Sequence, residues 1–161
     1  MTLPPSQSLP SRPQASRPAA TSAGASFSTL ALAQAPGCTF AATAFHDCQL
    51  VGIDWTAAAW AKNPLHPPVS FANCALNHAG FAGLSLRGLQ LTGCVARDVD
   101  FAECDLTRAV CTGTDFAASR FWHTNLTEAD FRGASNYAIN ATLNTLKKTK
   151  YITTQEQLVT D

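Results

Sequence analysis

The chain's six cysteines and four histidines carry its most versatile chemistry, so their spacing is the first test of what it can do. A zinc site draws its ligands from close pairs such as Cys-x-x-Cys or from set Cys/His spacings. Cys38, Cys48, Cys74, Cys94, Cys104 and Cys111 form no such pair, and His46, His66, His78 and His123 are scattered. Nucleophilic catalysis needs Ser or Cys beside a base that a third group orients. None of the histidines has a Ser or Cys at a spacing that implies such a triad. Asp100, Asp105, Asp115 and Asp130 are candidate acids or bases, but each directly precedes a large apolar or aromatic residue of a regular pattern. There a short carboxylate is expected to accept a backbone N–H in a turn. The chemistry-bearing residues therefore read as structural: no catalytic residues, no metal, no cofactor, not an enzyme.

The elements that place them follow one rule. From Phe71 a large residue returns every fifth position: Phe71, Leu76, Phe81, Leu86, Leu91, Ala96, Phe101, Leu106, Cys111, Phe116, Phe121, Leu126 and Phe131. Two residues before each stands a small or aliphatic one, never charged, from Val69 and Cys74 to Thr124 and Ala129. A period of five fits neither a helix, at about 3.6 residues, nor a flat strand, at about 2. It fits a solenoid of short units that are stable only when stacked. Upstream the same columns run in another frame, with Phe40, Phe45, Leu50 and Trp55 large and Cys38, Thr43, Cys48 and Ile53 small. Counting both frames gives 17 units, and the large column takes eight of the nine phenylalanines, a concentration that chance does not explain. Five cysteines fall in the small column and Cys111 in the large one, so all six are expected to act as small buried hydrophobes of a reducing compartment.

The frame slips between Trp55 and Phe71, where Asn63-Pro64 and Pro67-Pro68 disfavour regular structure, so a loop is expected over 56–70. Residues 1–36 hold six prolines, seven serines, two arginines and no acid. They cannot bury enough apolar surface to offset ordering and are expected to form a disordered tail. A transit peptide fits poorly because prolines at 4, 5, 10, 13 and 18 break an amphipathic helix; an inert tail or a start placed too far upstream fits better. The expected organisation is a tail at 1–36, repeats at 37–134 and a C-terminal capping segment at 135–161. No run is apolar enough to span a membrane as a helix. Charge is +2 over 1–37, −3 over 38–134 and +1 over 135–161, which gives no basic stripe to capture nucleic acid directly.

Val99-Asp100-Phe101, Cys104-Asp105-Leu106, Thr114-Asp115-Phe116, Thr124-Asn125-Leu126 and Ala129-Asp130-Phe131 resemble the pentapeptide-repeat pattern. The stretch Ala129 to Ala134, with Asn136 to Asn140 and Leu146 to Tyr151, is similar to the C-terminal end of bacterial single-domain members, some of them Qnr-like. The resemblance implies an all-β fold, a right-handed quadrilateral β-helix of about four coils, in a cytoplasmic bacterial protein. Four units per coil would then stack residues twenty apart: Phe81, Phe101 and Phe121 at one corner, and Leu86, Leu106 and Leu126 at the next. The core ladder is expected to be Phe71, Phe81, Leu86, Leu91, Phe101, Leu106, Phe116, Phe121, Leu126 and Phe131. Stacked Cys74 and Cys94 point the same way, which is poor disulfide geometry.

The resemblance also implies a role. Gyrase-protecting relatives are thought to imitate the DNA duplex, which needs a row of carboxylates along one face. Here the repeats carry nine acids against six bases, mixed on every face. Protein–protein interaction or scaffolding with an unknown partner is therefore expected first, with DNA mimicry against DNA gyrase or topoisomerase IV as the alternative. Arg120, Trp122 and His123 form one candidate interaction patch; Trp60, with Lys62 and His66, gives the loop a recognition look, but Trp60 is expected first to fold back onto the coil. Relatives tend to continue into an apolar helix that pairs two chains; Leu158 and Val159 are all that remains of it, so a monomer or weak homodimer is expected.

Overall fold

Side chains five apart reach a common interior if the chain turns one corner per unit and closes a square every four. The computed structural model describes residues 39–40, 43–60, 67, 69–151 and 158–160, with 39–40 and 158–160 described by backbone alone. The tail at 1–36, Cys38, Lys62 and His66 lie outside the described residues. The strands are short and all their pairings parallel. Strands β1 (Thr39–Phe40), β2 (Thr43–His46), β3 (Ala59–Trp60), β4 (Val69–Ala72), β5 (Gln90–Thr92), β6 (Ala138–Asn140) and β7 (Leu158–Thr160) pair as β1–β3, β2–β4–β5 and β6–β7. Between them single bridges link residues twenty apart, from Ala75↔Val95 to Asp130↔Lys150. This is a right-handed quadrilateral β-helix.

Nearly every corner is a turn with one residue in the left-handed region. At many of them the carbonyl of the large residue accepts from the amide three positions on, as in Leu84 N–H to Phe81 O at 3.2 Å and Ala109 N–H to Leu106 O at 3.0 Å. The residue between them, two after the large one, has positive φ, which is the type II pattern. Glycine adopts that angle without steric cost, as at Gly83 with φ of 73°. Glu103, Arg108, Ala118 and Glu128 hold φ of 58–60° at the equivalent places, where the coil's other bonds must hold them. Those bonds run up and down: Phe101 N–H donates to Arg120 O at 2.9 Å, and Asp100 N–H donates to Ala79 O at 3.1 Å.

The core is the large column seen end on. Trp55, Phe81, Phe101 and Phe121 make a four-high ladder with centroids 5.6, 5.4 and 5.3 Å apart and rings within 10° of parallel. Phe45 stacks on Phe71 at 5.4 Å, and Phe116 meets Phe121 edge-on at 5.5 Å. All ten ladder residues named from the sequence are buried. Each fully buried ring contributes up to about 3 kcal/mol, so this column dominates stability. In the small column, polar residues satisfy backbone groups that coil bonds leave over. Thr114 Oγ1 donates to Leu91 O at 2.8 Å and accepts from Cys94 N–H at 3.2 Å. Asn144 Nδ2 donates to Phe121 O at 3.1 Å, and Asn144 Oδ1 accepts from Thr124 N–H at 2.9 Å.

Two expectations need correcting. The excursion over 56–70 is shorter, because Trp55–Ala57 is a single 3₁₀ turn and β3 belongs to the coil. Partner spacing is twenty residues at Phe40↔Trp60 and twenty-six at Phe45↔Phe71, so six extra residues enter between Trp60 and Val69. The upstream frame runs one unit further, to Trp60, which is half-buried and donates its indole N–H to Trp55 O at 2.8 Å. Trp60 is thus tied into the coil rather than carried on a recognition loop. At the other end, coil bonding continues past 134, through Asn125↔Thr145 and Asp130↔Lys150, to Ala138↔Leu158. The large column only loses its frame there: Tyr137, one residue late, fills the core against Phe131 at 5.4 Å.

Candidate interaction surface

With the inward columns filled, chemistry is confined to the outside of the square. The aspartates preceding large residues cap turns. Asp100, Asp105, Asp115 and Asp130 each accept the N–H two residues on, at 3.0–3.1 Å, as Asn125 does at 3.2 Å. The buried thiols of Cys74 and Cys94 are free, and Cys94 donates to Phe71 O at 3.4 Å. Burial pushes the Cys104 thiol up to about 12 and raises that of Cys111, which disfavours the reactive thiolate at both. Among the described residues no cluster of His, Cys, Asp or Glu could hold a metal.

The surface charges pair from coil to coil. His78 Nδ1 lies 2.8 Å from Asp98, Arg97 2.7 Å from Asp115, Arg108 2.7 Å from Glu128 and Arg87 3.3 Å from Asp105. Arg120 reaches Asp100 at 3.8 Å, and Arg132 holds Asp130 at 2.6 Å within one unit. The Arg108 guanidinium holds the Glu128 carboxyl below its usual range, and Arg132 does the same for Asp130. Partial burial alone would raise Asp115, but hydrogen bonds from Asn136 and Arg97 outweigh it and the net shift is down. Among the described residues, therefore, no face presents an uninterrupted row of free carboxylates.

One corner differs. Trp122, outward beside the inward Phe121, is 51% exposed, the most exposed large hydrophobic residue among those described. His123 packs near it with centroids 6.1 Å apart and donates its backbone N–H to Leu143 O at 3.1 Å. That bond brings Leu143, itself 37% exposed, to the same corner. Trp122, His123 and Leu143 thus stand together, with Arg120 two residues before Trp122 in the chain. Trp60 does not join them: it sits three coils lower, about 14 Å along the axis at strand spacing. Leu143 was missed because the sequence pattern breaks after Ala134; its only signal was the twenty-residue offset from His123.

The fold and its repeat unit define the class. Residues 97–133 match the family model for pentapeptide repeats in eight copies, so this stretch of the chain is built of pentapeptide repeats. Among solved structures it is similar to a trypsin-treated variant of QnrB1, a plasmid-mediated fluoroquinolone resistance protein. That match has 15% identity over 74% of this chain and 77% of that one, with a TM-score of 0.49. It is also similar to Rfr23 from the cyanobacterium Cyanothece 51142, at 16% identity over 73% and 91% of the chains and a TM-score of 0.38. HetL, from Nostoc sp. strain PCC 7120, is 19% identical over 73% of this chain and 50% of that one, with a TM-score of 0.32. No curated protein matches the chain.

Proposed function

We propose that this chain is a non-enzymatic docking rod of the cytoplasm that holds a protein partner at the corner of Arg120, Trp122, His123 and Leu143. The observation that carries the reading is Trp122: a half-exposed indole on a rigid corner, amid a surface whose charges largely satisfy one another. Such an aromatic, with an arginine beside it, is the usual anchor of a protein interface. Mimicry of DNA needs carboxylates free to meet a basic groove. Here Asp100, Asp105, Asp115, Glu128 and Asp130 each face an arginine, and Asp98 faces His78. The test is capture by the full chain against Trp122→Ala and Thr92→Ala. Loss with the first alone supports the corner, and equal behaviour rejects it. A gyrase supercoiling assay with and without quinolone separates the alternative; protection or inhibition by the chain would overturn the docking rod in favour of mimicry.

A further inference from the structure

From Asp98 to Asp130, Glu103 is the acidic residue with no Arg or His partner among the described residues. It is exposed, and its backbone N–H donates to Trp122 O at 2.7 Å, which sets the carboxylate and the indole on adjacent coils of one corner. Below Trp122 the same position is held by Ala102 and then Ala82, whose coils are joined by Gly83 N–H to Ala102 O at 2.8 Å. Trp122 therefore heads a strip whose lower positions are small residues, with an uncompensated carboxylate on the coil beneath it. Arg120 adds little repulsion there because it is drawn to Asp100. A flat ring next to a free carboxylate suits a guanidinium, which stacks on the one and hydrogen-bonds the other. Proline rings also lie well on exposed aromatics.

We propose that this strip is covered in cis by the chain's own segment from Pro10 to Pro18, with one of its arginines placed on Trp122 and Glu103. The proposal rests on reading this corner as a docking surface and names its first occupant. Residues 1–36 hold Arg12 and Arg17 and no acid, complementary to a lone carboxylate. Pro10, Pro13 and Pro18 fix φ within the segment, so less conformational freedom is lost on docking. The reach is also adequate. The segment leads to Thr39–Phe40, which pairs below Ala59–Trp60, four coils beneath Leu126 and so about 19 Å down the axis from the Trp122 layer. A connector of twenty residues has a root-mean-square span of about 25 Å, which matches that separation and maximises the effective concentration.

The experiment uses the full chain with Cys38→Ser and a nitroxide on Ala15→Cys, the described native thiols being buried. The Trp122 indole N–H signal, identified by its absence in Trp122→Phe, is expected to be lost to paramagnetic broadening while the Trp55 signal persists. Glu103→Gln and the double variant Arg12→Ser/Arg17→Ser should each restore it. A Trp122 signal untouched by the label, or broadened equally when both arginines are replaced, overturns the proposal. So does broadening carried from a labelled chain to an isotope-enriched unlabelled chain in a mixture, which would mean a second copy is the occupant. Loss of the cis contact alone leaves partner capture through Trp122 standing, so the two readings fail separately.

Discussion

Phe101 sits where truncation should cost most. It is fully buried, clamped between Phe81 at 5.4 Å and Phe121 at 5.3 Å, and touches Phe116 edge-on at 6.1 Å. Its own amide and the carbonyl that closes its turn are fixed by coil bonds, so the surroundings cannot collapse into the space. Phe101→Ala should therefore lie within the usual range for buried phenylalanine truncation, about 3–5 kcal/mol, which includes the lost ring contacts. That is a large share of an ordinary domain's stability, of order 5–15 kcal/mol. The melting temperature should fall by roughly 15–30 °C. Phe45, half-buried near the start of the coil, should cost less when truncated than the fully buried Phe101. Urea unfolding followed by circular dichroism measures both. A loss below about 1 kcal/mol at Phe101 would mean the ladder is not the core it is described to be. Phe101→Asp adds an unpaired buried carboxylate and should abolish folding, so a native-like spectrum for it would refute the same reasoning.

Other substitutions probe the remaining layers of the argument. Thr114→Val keeps the shape but strips Leu91 O and Cys94 N–H of their shared hydroxyl, and should lower stability by about 1–3 kcal/mol in the same urea assay. Gly113→Val, at φ of 66°, should cost about 1–2 kcal/mol. Gly80→Ala places its Cβ in ordinary contact with Asp54 at 3.5 Å and should change stability by less than about 0.5 kcal/mol. Acid should weaken the fold through the paired carboxyls. Glu128 and Asp130 have folded pKa values held below their unfolded ones, so their contribution is present above the unfolded range and lost as pH falls through the folded values. The urea midpoint is expected to drop on acidification below about pH 4, less steeply in Asp130→Asn and less in high salt.

The repeat could be read from the sequence because one physical constraint, an inward side chain at each corner, acts on every fifth residue. Phe81, Phe101 and Phe121 announced their stacking by type alone. The preceding aspartates were legible as turn caps for a similar reason, since a short acceptor there meets the amide two residues on. The loop was drawn too long because Asn63-Pro64 and Pro67-Pro68 suggested irregular chain, although the spacing of Trp60 from Trp55 already put it in the large column. The coil beyond Ala134 was obscured by Asn144 and Thr149, which look unsuited to a core. Their polar atoms take coil carbonyls, Asn144 from Phe121 and Thr149 from Leu126, so polarity there is no sign of a surface. The pairing of surface charges was only half visible. Each face was read as mixed in sign, but whether an arginine reaches the carboxylate one coil away depends on rotamers that spacing does not encode. The isolation of Glu103 beside Trp122 emerges only once those pairs are drawn.

The six residues added after Trp60 leave the winding undisturbed, since Phe40 and Trp60 align before them and Phe45 and Phe71 after. The strand pairs on either side, with the Trp60–Trp55 bond, tie the coil together on both sides of the insertion. Each doubling of such a segment adds only about 0.6 kcal/mol of closure cost. This edge of the square is accordingly a permissive port, where a peptide epitope or small fused domain should be accepted while the stacked rings keep their register.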